Sequence, residues 1–390
     1  MRIRVLQALS TGRIGGAETM VLKLVSHLDT SRFVSEVSFL DGRGRLSQSF
    51  EAAGIPTHDL SVAGGYLGAF WRFVQLVRAR RFHIVHLYGF RVSLLGRLAA
   101  RAVRPRPAVV HGIRGFHVSE SEDVRGLRTK MALMLERLGA PLVDAYIPNS
   151  CGAEAFLCAW GLPKVKFMTI PNGIEPLVRK EVGAREPLES PTVICVANLR
   201  PRKRQADLVE AVARLRERGV SVRCVLVGDG PTREAVEALV RARRLGGVVE
   251  CLGSRPSQEV HSLLRSADVF VLPSLWEGMP VSVMEAMATG LPVVGTDVPG
   301  IRELVVDGDT GFLAPGRDPA ALAERIERLA RDASLRFRMG EAGRRRVMTE
   351  FALDTMVRRY EEAYLRLARE VALDVAATRV GPEGRRDTAF

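Results

Sequence analysis

Short runs of consecutive apolar residues alternate along this chain with longer stretches in which apolar positions recur every three or four residues. The first pattern suits strands buried on both faces, the second helices with one buried stripe. Residues 5–9, 33–40, 82–87, 108–112 and 145–150 read as strands, with helices at 19–28, 46–53, 70–80, 91–101, 127–138 and 151–160. Residues 165–170 lead into Pro171-Asn172-Gly173-Ile174-Glu175, and the charged stretch 176–191, with Gly183, Pro187 and Ser190, breaks the rhythm. Alternation then restarts. Strands are expected at 192–197, 222–227, 248–252, 268–273 and 291–296, with a last one entered through Asp307-Gly308-Asp309-Thr310-Gly311. Helices are expected at 207–218, 232–244, 260–267, 281–289, 319–329, 335–347 and 351–371. Two successive alternating halves of similar size predict two Rossmann-like α/β domains facing a cleft, over 1–176 and 190–350. The acidic stretch 119–123 reads as a mobile loop, and the small, polar residues 376–390 as a disordered tail.

The chemistry concentrates in Glu277-Gly278-Met279-Pro280-Val281-Ser282-Val283-Met284-Glu285. Glu277 follows an apolar run, which places it at the carboxyl end of a strand, where open α/β sheets bind ligands. Pro280 suits the first turn of the next helix and Gly290 its stop. Glu285 lies a turn inside that helix and can face the same crevice. The amides of residues 278–281 form an anion site at the helix start. Carboxylates for hydroxyls and amides for a diphosphate suit a nucleotide-sugar; the plainer account is acids complementing a helix dipole. After the first strand of the second half comes Asn198-Leu199-Arg200-Pro201-Arg202-Lys203-Arg204. Facing the cleft, its cations would neutralise a diphosphate; facing away, they are a solvated loop. The first strand of the chain runs into a glycine loop containing Gly15-Gly16-Ala17-Glu18 and then a helix, the opening turn of a Rossmann-like unit.

Residues 273–280, followed by Met284-Glu285-Ala286-Met287-Ala288-Thr289-Gly290-Leu291-Pro292-Val293-Val294, closely resemble the E-x7-E signature of retaining glycosyltransferases of family 4. Gly15-Gly16-Ala17-Glu18 and Pro171-Asn172-Gly173-Ile174-Glu175 are further matches, and the resemblance covers nearly the whole chain. It implies a GT-B-like fold, with a C-terminal helix at about 351–375 crossing back to cap the first domain. It also implies metal-independent transfer of a sugar, with retention, from a UDP- or GDP-sugar to a glycan, lipid-linked or small-molecule acceptor. Cell-surface polysaccharide or glycolipid synthesis is the implied setting. By the same resemblance Glu277 holds sugar hydroxyls near the reacting carbon, and Glu285 accepts the ribose hydroxyls. Lys203, an arginine, the Gly15-Gly16 loop and Gly278, Met279 and Pro280 take the diphosphate. The resemblance also implies an acceptor-side catalytic histidine at His111, where the plainer account is a structural histidine at a strand end; separately, the backbone at Arg255, after Gly253-Ser254, is a candidate for recognising the base. The family's arginine stands directly after the strand, where this chain has Asn198, so Arg200 becomes its substitute. No cofactor beyond the co-substrate is implied, and Asp307-x-Asp309 reads as a turn rather than a metal site. A phosphorylase, a nucleotide-sugar epimerase and a non-catalytic binder are the alternatives on this fold. Scarce lysine, with no evident pyridoxal site, opposes the first; Glu277, Glu285 and Lys203 together oppose the last.

At 390 residues, 47% hydrophobic and 26% charged, the chain is globular and long enough for two domains. No apolar run could span a bilayer, and the first residues are too short a run for a signal peptide, so a cytoplasmic enzyme is expected. Five cysteines without C-x-x-C spacing suit free thiols in a reducing compartment. The net charge of +13 is carried by arginine. With no nucleic-acid-binding motif, it points to compositional bias, an acidic substrate or an anionic membrane surface. Aromatics and arginines interleave over 70–82, which either packs on the sheet or touches the inner face of a membrane. The oligomeric state is left open.

Overall fold

The computed structural model describes residues 2–12, 15–114, 127–177 and 190–379. The loop expected at 119–123, most of the stretch 176–191 and residues 380–390 of the expected tail lie outside these. The first half alternates β1 (Ile3–Leu9), α1 (Gly16–His27), β2 (Phe33–Phe39), α2 (Arg45–Ala52), β3 (Thr57–Asp59), α3 (Tyr66–Arg80) and β4 (Ile84–Tyr88). It continues with α4 (Phe90–Arg101), β5 (Ala108–Ile113), α5 (Leu127–Gly139), β6 (Ala145–Pro148) and α6 (Cys151–Ala159). The second half runs β7 (Thr192–Val196), α7 (Gln205–Glu217), β8 (Arg223–Val227), α8 (Arg233–Ala242), β9 (Val249–Gly253) and α9 (Ser257–Ser266). Then come β10 (Val269–Leu272), α10 (Val281–Ala288), β11 (Val293–Thr296), α11 (Pro299–Arg302) and β12 (Gly311–Ala314). Helices α12 (Pro319–Arg331), α13 (Ala333–Glu350) and α14 (Leu353–Arg379) complete the described chain.

The two sheets share one topology. The first is ordered β3-β2-β1-β4-β5-β6 and the second β9-β8-β7-β10-β11-β12, with every neighbouring pair parallel. In each, the winding reverses beside the first strand, between β1 and β4 and between β7 and β10. A crevice opens at such a reversal because the flanking loops leave in opposite directions. The loops that follow β7 and β10 therefore meet there, although Lys203 and Glu277 are 74 residues apart in sequence.

Apolar residues alternate to the two faces of the first sheet. Val109 and Leu87 pack with Phe73, Val77 and Leu133 under α3, α4 and α5. Val5, Val110 and Ile147 pack with Met20 and Leu24 of α1 and with Tyr360 and Tyr364 of α14. So α14 returns from the second half to cap the first, entered through paired backbone bonds between Ile174 and residues Phe351 and Leu353. It runs on through residues 376–379, which composition alone assigns to a disordered tail. The alanines there extend the helix at little cost. The edge strand β3 and the short α11 carry too little apolar pattern to be read from sequence.

Candidate active site

The second-half crevice is built by two loops locked to each other. After β7 the chain makes a single tight turn, Pro201–Lys203, and enters α7 through Arg204 in the left-handed conformation. That backbone state is unfavourable for any residue with a Cβ; a two-pronged contact of the Arg204 guanidinium with Asp207, at 2.7 and 3.0 Å, offsets it. Gln205 ties the turn back to the Asn198 carbonyl at 3.1 Å. The Leu275 amide of the opposite loop donates to the Arg202 carbonyl at 2.8 Å. These bonds leave Lys203 directed at Glu277, with which it forms an ion pair, and Arg202 4.0 Å from the second oxygen of Glu277. The Arg202 guanidinium also stacks on Trp276, 4.3 Å from the ring centre. Burial alone would raise the Glu277 carboxyl, but Lys203 and then Arg202 outweigh it and hold it below the ordinary value. Glu277 is thus an anion shared by two cations, and the three side chains together carry a net charge of +1.

Helix α10 begins directly after this loop with no side-chain cap, so its first amides remain available to an anion. Gly300, at the start of α11, supports the loop from behind. A side chain there would fall 2.0 Å from the Gly278 carbonyl oxygen, so only glycine allows the approach. Gly278 is pinched from the other side: a Cβ would lie 2.8 Å from Oδ1 of Asn149 and 3.0 Å from the Arg114 carbonyl oxygen, both in the first domain. Gly16, the first residue of α1, faces Val281, the first residue of α10. Two helix starts thus converge across the cleft. Their positive ends repel unless an anion lies between them.

Of the residues singled out from sequence, the structure gathers Glu277, Gly278, Met279, Pro280, Lys203, Gly15 and Gly16 around this crevice. Arg200 caps the start of the Pro201–Lys203 turn and is half-buried. Glu285 lies inside α10, with His261 of α9 3.6 Å from its carboxylate. His111 is buried, its Nδ1 3.0 Å from Glu136, and Glu136 also takes Arg97 at 2.7 Å. Arg255 is separate. It stands at an open depression of about 550 Å³ with Leu252, Gln258, Glu259 and Ser262, which none of the other candidates lines. Asp307 and Asp309 sit in a turn that closes when the Asp307 carboxylate accepts from the Leu313 amide at 2.8 Å.

Three contributions escaped the sequence reading. Arg202 was one cation in a run, with nothing to single it out. Glu303 caps α6 from the other domain, its oxygens each 2.9 Å from the amides of Cys151 and Gly152. Asn172 donates across the cleft to the Met279 carbonyl at 2.9 Å. The matched motif around Asn172 was the available signal.

Family models match both halves of the chain. Residues 179–346 match the model "Glycosyl transferases group 1", and residues 15–173 match "Glycosyl transferase 4-like domain". The chain is 34% identical over 325 residues to N-acetyl-alpha-D-glucosaminyl L-malate synthase of Bacillus anthracis, covering 81% of each. It belongs to the group 1 glycosyltransferase family. Amylovoran biosynthesis glycosyltransferase AmsK of Erwinia amylovora is 34% identical over 219 residues, 54% of either chain, and several such matches span about half the length of the curated relatives. Among solved structures, HepE of Anabaena in complex with UDP-glucose superposes with a TM-score of 0.81 at 20% identity, covering 93% of this chain and 99% of that one. Sucrose-phosphate synthase of Thermosynechococcus elongatus gives 0.79 at 23% identity, covering 94% and 99%. This family member therefore has the GT-B fold, two parallel α/β domains about one cleft.

Proposed function

We propose that this protein transfers a sugar, with retention and without a metal, from a nucleotide-diphosphate-sugar to a hydroxyl acceptor in polysaccharide or glycolipid synthesis. One observation carries the reading: Lys203, paired with Glu277 at the end of a sheet, faces a crevice where the starts of α1 and α10 converge. In such a transfer the bond from the anomeric carbon to the diphosphate breaks, and its electron pair leaves on the diphosphate oxygen. The acceptor oxygen bonds to that carbon and gives its proton to the departing diphosphate. Charge accumulates on the leaving group, and Lys203, Arg200 and the amides of the two helix starts lower the barrier by meeting it there. These donors supply the positive field a metal would otherwise provide. Glu277 orients sugar hydroxyls, and Glu285 takes the ribose. His111 gives Nδ1 to Glu136, leaving Nε2 for a hydroxyl near the reacting carbon. The residue 255 backbone meets the base. HepE was solved with UDP-glucose, and a Mycobacterium tuberculosis relative, 30% identical over 238 residues, is named as GDP-mannose-dependent; both nucleotides therefore belong in the test. Thermal shift against UDP- and GDP-sugars should pick out one nucleotide, and product analysis with that donor should show the retained anomer. No shift with any nucleotide-sugar would sink the reading.

The acceptor is proposed to be lipid-linked and met at the inner face of a membrane. Helix α5 motivates this, because it is apolar on its outer face. Met131, Met134, Leu135 and Leu138 are exposed, while Thr129 and Glu136 are buried. On α3, which like α5 packs against α4, Leu67 and Trp71 are exposed beside Arg72 and Arg78, whereas Phe73, Val77 and Phe82 are core. Neither α3 nor α4 contains an acidic residue, and the single acid of α5 is the buried Glu136. Apolar side chains ringed by cations suit an anionic bilayer, each cation adding about 1 kcal/mol. No helix among the described residues is long and apolar enough to cross a membrane. Co-sedimentation with anionic vesicles, lost in Met131→Glu/Leu138→Glu, is the expected result; equal recovery with neutral and anionic vesicles at low salt would remove the membrane from the account.

A further inference from the structure

A chain of hydrogen bonds crosses the domain boundary and ends on the loop that carries Glu277. It starts at Tyr360 of the return helix α14, fully buried against the first sheet. The Arg114 guanidinium donates to the Tyr360 hydroxyl at 2.8 Å and, through its other terminal nitrogen, to Oδ1 of Asn172 at 2.7 Å. Nδ2 of Asn172 donates to the Met279 carbonyl at 2.9 Å. The amide can adopt one orientation only, because a guanidinium only donates and a carbonyl only accepts. Arg114 is itself clamped between the Tyr88 and Tyr360 rings, 5.6 and 5.5 Å from their centres. Asn172 is buried, so this polar contact is sheltered from water.

We propose that Asn172, oriented by Arg114 and Tyr360, is a positioning residue that sets the register of the Gly278–Pro280 loop against the first domain, and with it the donor-binding start of α10. The peptide it holds joins Met279 to Pro280, the residue that precedes the first turn of α10. Fixing that carbonyl fixes the plane from which the helix departs. The same step holds Gly278 against the Arg114 carbonyl and Asn149, and keeps Val281 packed on the first-domain core. The relay thus makes α14 more than a brace. The last described helix reports the position of the first domain to the loop that binds the leaving group. The part of this that concerns donor affinity rests on the glycosyltransferase reading above; the part that concerns loop register does not.

Hydrogen–deuterium exchange over residues 275–288 tests the register without any ligand, and calorimetry with UDP and GDP tests its consequence. In Asn172→Ala the segment should exchange about tenfold faster, with β7 and β8 unchanged, and the Kd of the nucleotide that binds wild type should rise about tenfold. Asn172→Asp keeps the size and the Arg114 contact but sets an acceptor against the Met279 carbonyl. It should therefore behave like Asn172→Ala, which a packing role does not predict. Tyr360→Phe leaves the core filled and should shift both readouts the same way, by less; it decides the matter if the Asn172 variants fail to fold. Wild-type exchange in Asn172→Asp and Tyr360→Phe would overturn the relay, whatever nucleotide binds. Faster exchange in the variants of a protein that binds neither UDP nor GDP would leave the relay standing and count against the donor reading.

Discussion

Two clusters of similar make-up lie in the two domains, each with one carboxylate between two basic side chains. In the first domain Glu136 sits between Arg97 and His111; in the second, Glu277 sits between Lys203 and Arg202. Their surroundings differ. Arg97 is 1% exposed and also bonds the Ser93 hydroxyl and carbonyl, all within the layer between α4, α5 and β5. Lys203 and Arg202 lie on a loop at the carboxyl end of β7, facing the place where the sheet winding reverses. Burial taxes both carboxylates, and the paired bases overcome it in both, to about 2 for Glu136. The Arg97 side of the first cluster is sealed and serves the fold, whereas His111, in β5, is the one member of it proposed to meet a ligand. A cluster at a strand end has a side open to the cleft, and there the same charges can act on a ligand.

The largest difference should appear on removing the carboxylates. Glu277→Ala is expected to lower turnover about 10²–10³-fold, with circular dichroism showing a folded protein; a loss of less than tenfold would erase the functional side of the contrast. Glu136→Ala should instead destabilise the protein by about 3–5 kcal/mol in denaturant titrations, since it strands Arg97 in the interior. The Glu136 cluster also makes stability depend on acid. Its folded carboxyl ionises at about 2 against an ordinary 4.5, so its contribution is whole above pH 4.5 and fades as pH falls toward about 2. That contribution is about 3 kcal/mol. Unfolding midpoints measured at pH 5 and pH 3 should converge between wild type and Glu136→Gln at the lower value; parallel curves would contradict the sealed ion cluster.

Glu285→Ala sharpens the contrast within the second domain. It should raise the nucleotide Kd about tenfold while leaving more of the turnover than Glu277→Ala does. Equal losses of nucleotide affinity in the two variants, by calorimetry, would refute that division of labour. The smallest expected effect is that of EDTA. With Lys203 and the helix starts as the charge-stabilising groups, transfer should persist within twofold of the untreated rate, by the usual span of a minor perturbation. Abolition by EDTA and recovery with Mg²⁺ or Mn²⁺ would show that a cation completes the open cluster.

Much of this protein was determined by local sequence. Apolar runs of strand length and stripes of helical period named nearly every element, because burial on two faces or on one leaves those patterns whatever the partners are. Glu277 and Lys203 were legible as strand-end residues because that position follows from the run before each loop, and Glu285 as a helix residue because Pro280 and Gly290 mark where α10 begins and stops. What the sequence left undecided was pairing between distant segments. Arg202 became distinguishable from Arg200 and Arg204 only when β10 was placed beside β7. His111 and Glu136 gave no sign of each other, since their contact depends on α5 folding over β5. Asn172, Arg114 and Tyr360 form one relay only because α14 returns across the domain boundary. A hydrogen bond needs two atoms within about 3 Å, and no periodicity along one segment encodes where another segment, more than a hundred residues away, will place its atoms.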